Sequence, residues 1–178
     1  MKIFKNFWRQ EVLDILESRI KEFFDDKLPV HVQYNFWETT LWTDSTPILI
    51  YNFENGDPII QLLWNQISPL FNNVNYIHWS IGLYFATPGS YITWHDDLYE
   101  DEIPRLASST YLNSNWDKNW GGHFLYKSKE TEEYYAEIPE YNKMILVETP
   151  ELHATSITSQ SAEPRISLQC FFQEEIGK

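Results

Sequence analysis

Residues 76–97 read YIHWSIGLYFATPGSYITWHDD. Up to Phe85 the stretch alternates. Ile77, Trp79, Ile81, Leu83 and Phe85 fall on one side and Tyr76, His78, Ser80, Gly82 and Tyr84 on the other, the period of a strand with two distinct faces. Pro88-Gly89 is a turn signal. A further strand candidate at 90–94 then runs into His95-Asp96-Asp97. Downstream, short strand candidates recur at 107–112, 122–126, 134–138, 143–147, 153–158 and 165–172. Upstream, residues 9–26 place Val12, Leu13, Leu16, Ile20, Phe23 and Phe24 at three- and four-residue steps, the mark of an amphipathic helix. A second helix starts at Asp57-Pro58, a capping residue followed by a proline suited to the first turn, and runs through Ile67 until Pro69 ends or kinks it. Two helices followed by many short strands predict a mainly β protein, a sandwich or jelly roll braced on one side by the helices.

Length and composition agree. The chain of 178 residues suits one domain, 1–178, and its hydrophobic and charged fractions are those of a chain that folds. A net charge of −13 repels phosphate backbones, so no nucleic-acid partner is expected. The longest obvious apolar run, 47–51, is far too short to cross a bilayer, which argues against a membrane partner. One cysteine, Cys170, and a start without the apolar core of a secretory signal make the cytoplasm the expected compartment.

The chemistry lies in a few polar residues at strand ends. In an extended segment residues two apart share a side, so His95 and Asp97 can reach one metal ion together. His153, opening another strand candidate, offers a third ligand. Two histidines and a carboxylate leave one face of a metal open, the set that non-haem Fe(II) oxygenases use. A structural zinc site would need a fourth protein ligand, and Cys170 is a poor candidate for it. Standing alone, the two histidines read more simply as ordinary polar side chains near strand ends. They are followed, however, by PRISLQCFF at 164–172, where Arg165 and Ser167 share one face of a strand and Ile166 and Leu168 the other. A guanidinium held inside an apolar strand needs an anion, either an internal carboxylate or a small dicarboxylate ligand.

Four segments together resemble the Fe(II)- and 2-oxoglutarate-dependent dioxygenases, and among them the prolyl 4-hydroxylase-like branch. They are the stretch from Tyr84 to His95-Asp96-Asp97, TYLNSNWDKNWGGHFLY at 110–126, NKMILVETPELHATSIT at 142–158, and PRISLQCFF, in the family's order over about 76–173. The resemblance implies a double-stranded β-helix of the jelly-roll, cupin-like kind. It implies that His95, Asp97 and His153 hold Fe(II) and that Arg165 with Ser167 anchors the distal carboxylate of 2-oxoglutarate. Tyr111 and Tyr84 would line the cosubstrate pocket with Ser109 and Phe124. O₂ would be the second cosubstrate and ascorbate a stimulant of turnover. Related halogenases carry a small residue where this chain has Asp97, so the chain looks like a hydroxylase of an unactivated C–H bond, releasing succinate and CO₂.

A prolyl residue of a protein or peptide is the substrate such motifs suggest, with a free amino acid or other small molecule as the alternative. A non-catalytic metal- or ligand-binding module is the reading outside enzymes. The acidic stretch LYEDEIP at 98–104 could act as a lid that favours a basic substrate, or be a solvated loop. Phe36, Trp37 and Trp42 suit a substrate wall or core packing equally. Gly121-Gly122 fits a turn or a sharp strand start. Trp116 and Trp120 read as packing residues, His31, His78 and His123 as structural, and Asp96 as pointing away from Asp97.

Overall fold

The computed structural model describes residues 1–27, 30–33, 48–71, 75–97 and 105–175. The lid expected at 98–104 and the aromatic wall of Phe36, Trp37 and Trp42 lie outside the described residues. In chain order the elements are β1 (Lys2–Phe4), α1 (Gln10–Phe24), β2 (His31–Gln33), β3 (Ile48–Asn52), α2 (Pro58–Ile67), β4 (Tyr76–Ala86), β5 (Ile92–His95), β6 (Arg105–Tyr111), β7 (Phe124–Lys127), β8 (Tyr134–Glu137), β9 (Met144–Glu148), β10 (His153–Thr155) and β11 (Arg165–Glu174). They form two antiparallel sheets, one ordered β1-β9-β6-β11-β4-β3-β2 and the other β5-β10-β7-β8. This is the jelly roll, with its large sheet backed by two helices.

Each helix forms for reasons its sequence states. In α1 the apolar stripe buries Val12, Leu13 and Leu16 while Glu11, Asp14 and Glu17 stay in water. At the start of α2 the Asp57 carboxylate accepts a hydrogen bond from the Ile59 amide at 3.0 Å, and Pro58 occupies a position whose amide has no helical partner anyway. Past Ile67 the chain tightens into a 3₁₀ turn, Ser68–Phe71, because Pro69 lacks the amide to continue the α pattern.

Strand alternation divides the large sheet into two surfaces. Ile81, Leu83 and Phe85 of β4, Ile166, Leu168 and Cys170 of β11, and Met144 and Leu146 of β9 pack against Leu16, Leu63 and Ile67 of the helices, forming the main core. Phe23 stacks on Phe85 at 3.7 Å between ring centroids, fixing α1 to β4. On the opposite surface Tyr111, Ile145 and Val147 pack with Phe124 of the small sheet, and Ile48, Ile50 and Ala86 form a second patch with Tyr84 and Ile92. The candidate residues Arg165, Ser167, Tyr111, Tyr84 and Ser109 stand on this second surface, and His95 and His153 on the small sheet.

Several boundaries differ from the sequence reading. β6 begins at Arg105, two residues early, and β7 at Phe124 rather than 122, because Gly121 and Gly122 both have positive φ and the chain is still turning there. The expected strand at 153–158 stops at Thr155, where the pairing to β5 shifts register, and Thr158 makes only an isolated bridge to Gly121. The strands β1, β2 and β3 were not anticipated. β3 is the apolar run 47–51 seen from inside: both its faces are covered, so it shows no alternation.

Candidate metal and cosubstrate site

His95 ends β5 and His153 begins β10, paired directly opposite each other in the small sheet. Their rings lie 4.1 Å apart between centroids. Each is oriented by its own backbone: His95 Nδ1 meets the Thr93 carbonyl at 2.7 Å and His153 Nδ1 the Glu151 carbonyl at 2.8 Å. A carbonyl only accepts, so in both rings Nδ1 carries the proton and Nε2 keeps its lone pair, the state a metal ligand requires. Burial lowers the pKa of His95, the neighbouring His153 lowers it further and Asp97 opposes them, so the net effect favours the neutral imidazole.

Asp97 completes the group, with Oδ1 3.6 Å from His95 Nε2 and Oδ2 3.5 Å from His153 Nε2. The three ligand atoms lie within 4.8 Å of one another. Two lone pairs and a carboxylate facing each other repel, and a divalent cation between them turns that repulsion into attraction, so the donor set fits a metal of the N/O class. The route to this geometry is not the expected one. β5 stops at His95, and Asp97 has φ +56°, so it shares no strand with the histidine and the left-handed turn aims its carboxylate instead.

The second half of the site is on β11. Arg165, 5% exposed, extends from the inner surface of the large sheet. One guanidinium nitrogen donates to the Gly122 carbonyl at 3.0 Å, and the guanidinium carbon sits 5.8 Å from the Tyr111 ring centre. Among the described residues no carboxylate reaches it. Its Nε and the Tyr111 hydroxyl are both buried without a hydrogen-bond partner. Burial lowers the Arg165 pKa, against the pull of Tyr111, and pushes Tyr111 up to about 12. A buried guanidinium is costly without an anion. A carboxylate, which can only accept hydrogen bonds, fits the pair of donors left over. The internal salt bridge considered for Arg165 is not formed among the described residues.

Ser167 is buried two positions on, opposite Tyr111 on β6 and Tyr84 on β4. Burial raises the Tyr84 pKa, with Cys170 and Asp97 adding to it. Ser109 stands one step further along the same surface and donates to Gln169 Oε1 at 2.7 Å. Phe124 stacks on His153 at 5.4 Å and belongs to the same buried cluster as Tyr111, so that one cluster adjoins both the histidine pair and the arginine. The structure therefore brings His95, Asp97 and His153 into one cluster and sets Arg165, Ser167, Tyr111, Tyr84 and Ser109 on one surface of the large sheet, with Phe124 of the small sheet packed in the same cluster as Tyr111.

Other residues fall outside the site. Trp116 and Trp120 pack edge to face at 5.3 Å, and the Trp116 indole donates to the Gly121 carbonyl. His123 Nε2 bonds the Lys118 carbonyl, and His78 Nε2 lies 3.3 Å from Asn55 Oδ1. Asn113 and Gln169 were not singled out from sequence, and the Gly121-Gly122 pair reads there only as a turn or a sharp strand start. Gly122 has φ +65°, and a Cβ there would lie 2.8 Å from Thr158 Cγ2 and 3.2 Å from Arg165 Cδ, so only glycine lets the arginine lie across this turn. Asn113 accepts from the Ile166 amide at 2.7 Å and donates to the Pro164 carbonyl at 3.0 Å, fixing the start of β11. Gln169, four residues after Arg165 in a strand, shares its surface, a parity the sequence already contains.

No curated protein matches the sequence. The sequence profile of the 2OG-Fe(II) oxygenase superfamily matches residues 80–173. The fold is similar to a prolyl-4-hydroxylase from Pseudomonas putida, with TM-score 0.72, 14% identity, and 98% of this chain and 92% of that chain covered. It is similar also to a prolyl hydroxylase from Trichoplax adhaerens in complex with a hypoxia inducible factor peptide fragment, with TM-score 0.75, 12% identity and coverage of 97% and 83%. HygX from Streptomyces hygroscopicus, with nickel and 2-oxoglutarate bound, gives 0.67, 9%, and 98% and 82%. At these identities the solved structures establish the jelly-roll architecture. The profile spans more than half of the sequence, and the chain belongs to the 2OG-Fe(II) oxygenase superfamily, enzymes that work with Fe(II) and 2-oxoglutarate.

Proposed function

We propose that the chain hydroxylates an unactivated C–H bond of a prolyl residue in a protein or peptide, with His95, Asp97 and His153 holding the iron and Arg165 anchoring the cosubstrate. The observation that carries this reading is the pairing of two orphaned buried groups, Arg165 Nε and the Tyr111 hydroxyl, with a three-ligand cluster one contact away. Fe(II) and 2-oxoglutarate, when bound, supply the power to oxidise a C–H bond with O₂, releasing succinate and CO₂.

Each residue has a defined task. The Thr93 and Glu151 carbonyls hold the histidine tautomers, so both rings present a lone pair without a proton having to move first. Arg165 and Ser167 offer donors to the distal carboxylate, and the positive charge of the guanidinium offsets the chain's overall −13 for a dianionic ligand. Tyr111, 1% exposed and held protonated by burial, is a third donor on the same space. Phe124 and Tyr84 enclose it and keep water away from the reacting atoms. The peptide fragment in the similarly folded Trichoplax adhaerens enzyme supports a peptide substrate.

The test is succinate formation by the purified protein given Fe(II), 2-oxoglutarate and ascorbate, with and without proline-containing peptides, followed by mass spectrometry of the peptide. The expected result is succinate in excess of the peptide-free rate and a peptide gaining one oxygen on proline. Turnover with free amino acids and none with any peptide would overturn the substrate assignment, and no turnover under any condition would favour a binding module.

A further inference from the structure

We propose that Gln169 is a positioning residue that sets the direction of the Ser167 hydroxyl and thereby the affinity for the distal carboxylate of 2-oxoglutarate. The inference rests on the reading of Arg165 and Ser167 as the anchor of that carboxylate.

Three polar side chains form a directed chain across β6 and β11. Ser109 of β6 lies directly opposite Gln169 of β11, and its hydroxyl donates to Gln169 Oε1 at 2.7 Å. An amide oxygen can only accept, so the Ser109 proton is committed to this bond. The other end of the amide then has the opposite polarity: Gln169 Nε2 donates to Ser167 Oγ at 2.9 Å. With a lone pair of Ser167 occupied by that donor, its own proton is turned elsewhere. Among the described residues it has no acceptor, although Ser167 is only 1% exposed.

The ligand expected beside Ser167 is a carboxylate, which only accepts. A hydroxyl with one lone pair already claimed keeps its proton and its second lone pair for the remaining directions, so the amide narrows the orientations left to it, and a ligand that only accepts selects the proton. Without the amide, the hydroxyl rotor loses this restraint and its proton is no longer directed. Gln169 touches neither metal nor cosubstrate in this account and acts through Ser167.

The experiment measures the dissociation constant of 2-oxoglutarate by anaerobic titration calorimetry on the Mn²⁺-loaded full chain, a readout independent of turnover. Gln169→Leu should weaken binding by about 5- to 10-fold, the loss of one preset charge-assisted donor. Gln169→Glu, nearly isosteric, presents only acceptors, captures the Ser167 proton and should weaken binding by about 10- to 100-fold. Should the leucine variant fail to fold, the glutamate variant still carries the test. The Gln169→Leu/Ser167→Ala double variant should bind no more weakly than Ser167→Ala alone. For 2-oxopentanoate, which has a methyl group in place of the distal carboxylate, wild type and Gln169→Leu should bind equally, an outcome that general loosening of the pocket would not give. Additive losses, equal losses with both ligands, or unchanged 2-oxoglutarate binding in Gln169→Leu while Arg165→Ala binds weakly would each overturn the proposal. Unchanged binding in Arg165→Ala would instead overturn the anchor reading, and the role of Gln169 with it.

Discussion

Asp97 owes its place in the cluster to a backbone turn. Its φ of +56° is tolerable for aspartate and costly for most other side chains, so position 97 constrains both carboxylate and conformation. Asp97→Ala should therefore bind Mn²⁺ at least about 100-fold more weakly by calorimetry, the loss of a metal ligand. Wild-type affinity in that variant would remove Asp97 from the ligand set. Arg165→Ala should weaken 2-oxoglutarate binding by about 10- to 100-fold, because the remaining donors lose their charged partner. Cys170 makes a contrasting prediction. Burial pushes its thiol up to about 12 and leaves it 1% exposed, so native protein should resist iodoacetamide at pH 8 and react only once unfolded. Rapid labelling of the folded chain would contradict the burial described. Which polar residues converge was legible where side-chain chemistry is distinctive, as with His95, His153 and Arg165. The φ of Asp97 left no mark in the sequence, and of the hydrogen bonds of Gln169 the one to Ser167 is local to the strand while the one from Ser109 depends on β6 lying alongside.

At the level of elements, alternation was a good guide wherever a strand has two unlike surfaces. β4 and β11 show it plainly because one side meets the helices and the other the space between the sheets. β3 hides it because both sides are covered, and β1 spans three residues, too few for any period to appear. Turns were visible as glycine and proline, though not their purpose. The Gly121-Gly122 pair reads as a turn or a sharp strand start until the arginine is seen lying over it. Gly122→Ala should lower stability by about 1–3 kcal/mol in urea unfolding, through its positive φ and the clash with Thr158, and should weaken 2-oxoglutarate binding by displacing Arg165. Stability and binding both at wild-type values would show that the turn adapts without cost.

For the molecule as a whole, stability is linked to protons. Cys170 and Tyr111 have ordinary values of 9.0 and 10.0 and both are raised to about 12 on folding. The unfolded chain thus releases these protons first, so their contribution is intact below about pH 9 and is lost progressively as pH climbs toward 12. The unfolding midpoint should fall across that window, and Cys170→Ala should flatten the descent; a midpoint independent of pH there would refute the linkage. No helix of the described residues is long and apolar enough to cross a membrane. One feature binds these scales together. β11 turns Ile166, Leu168 and Cys170 toward the helices and Arg165, Ser167 and Gln169 toward the opposite surface, alternately and within six residues. Sliding this strand by a single position would thrust a guanidinium among leucines and strand a greasy side chain beside Tyr111 and Tyr84. Natural variation on one side of it is therefore answerable to the other, and a mutation chosen only to repack the interior will be felt as a change in catalysis.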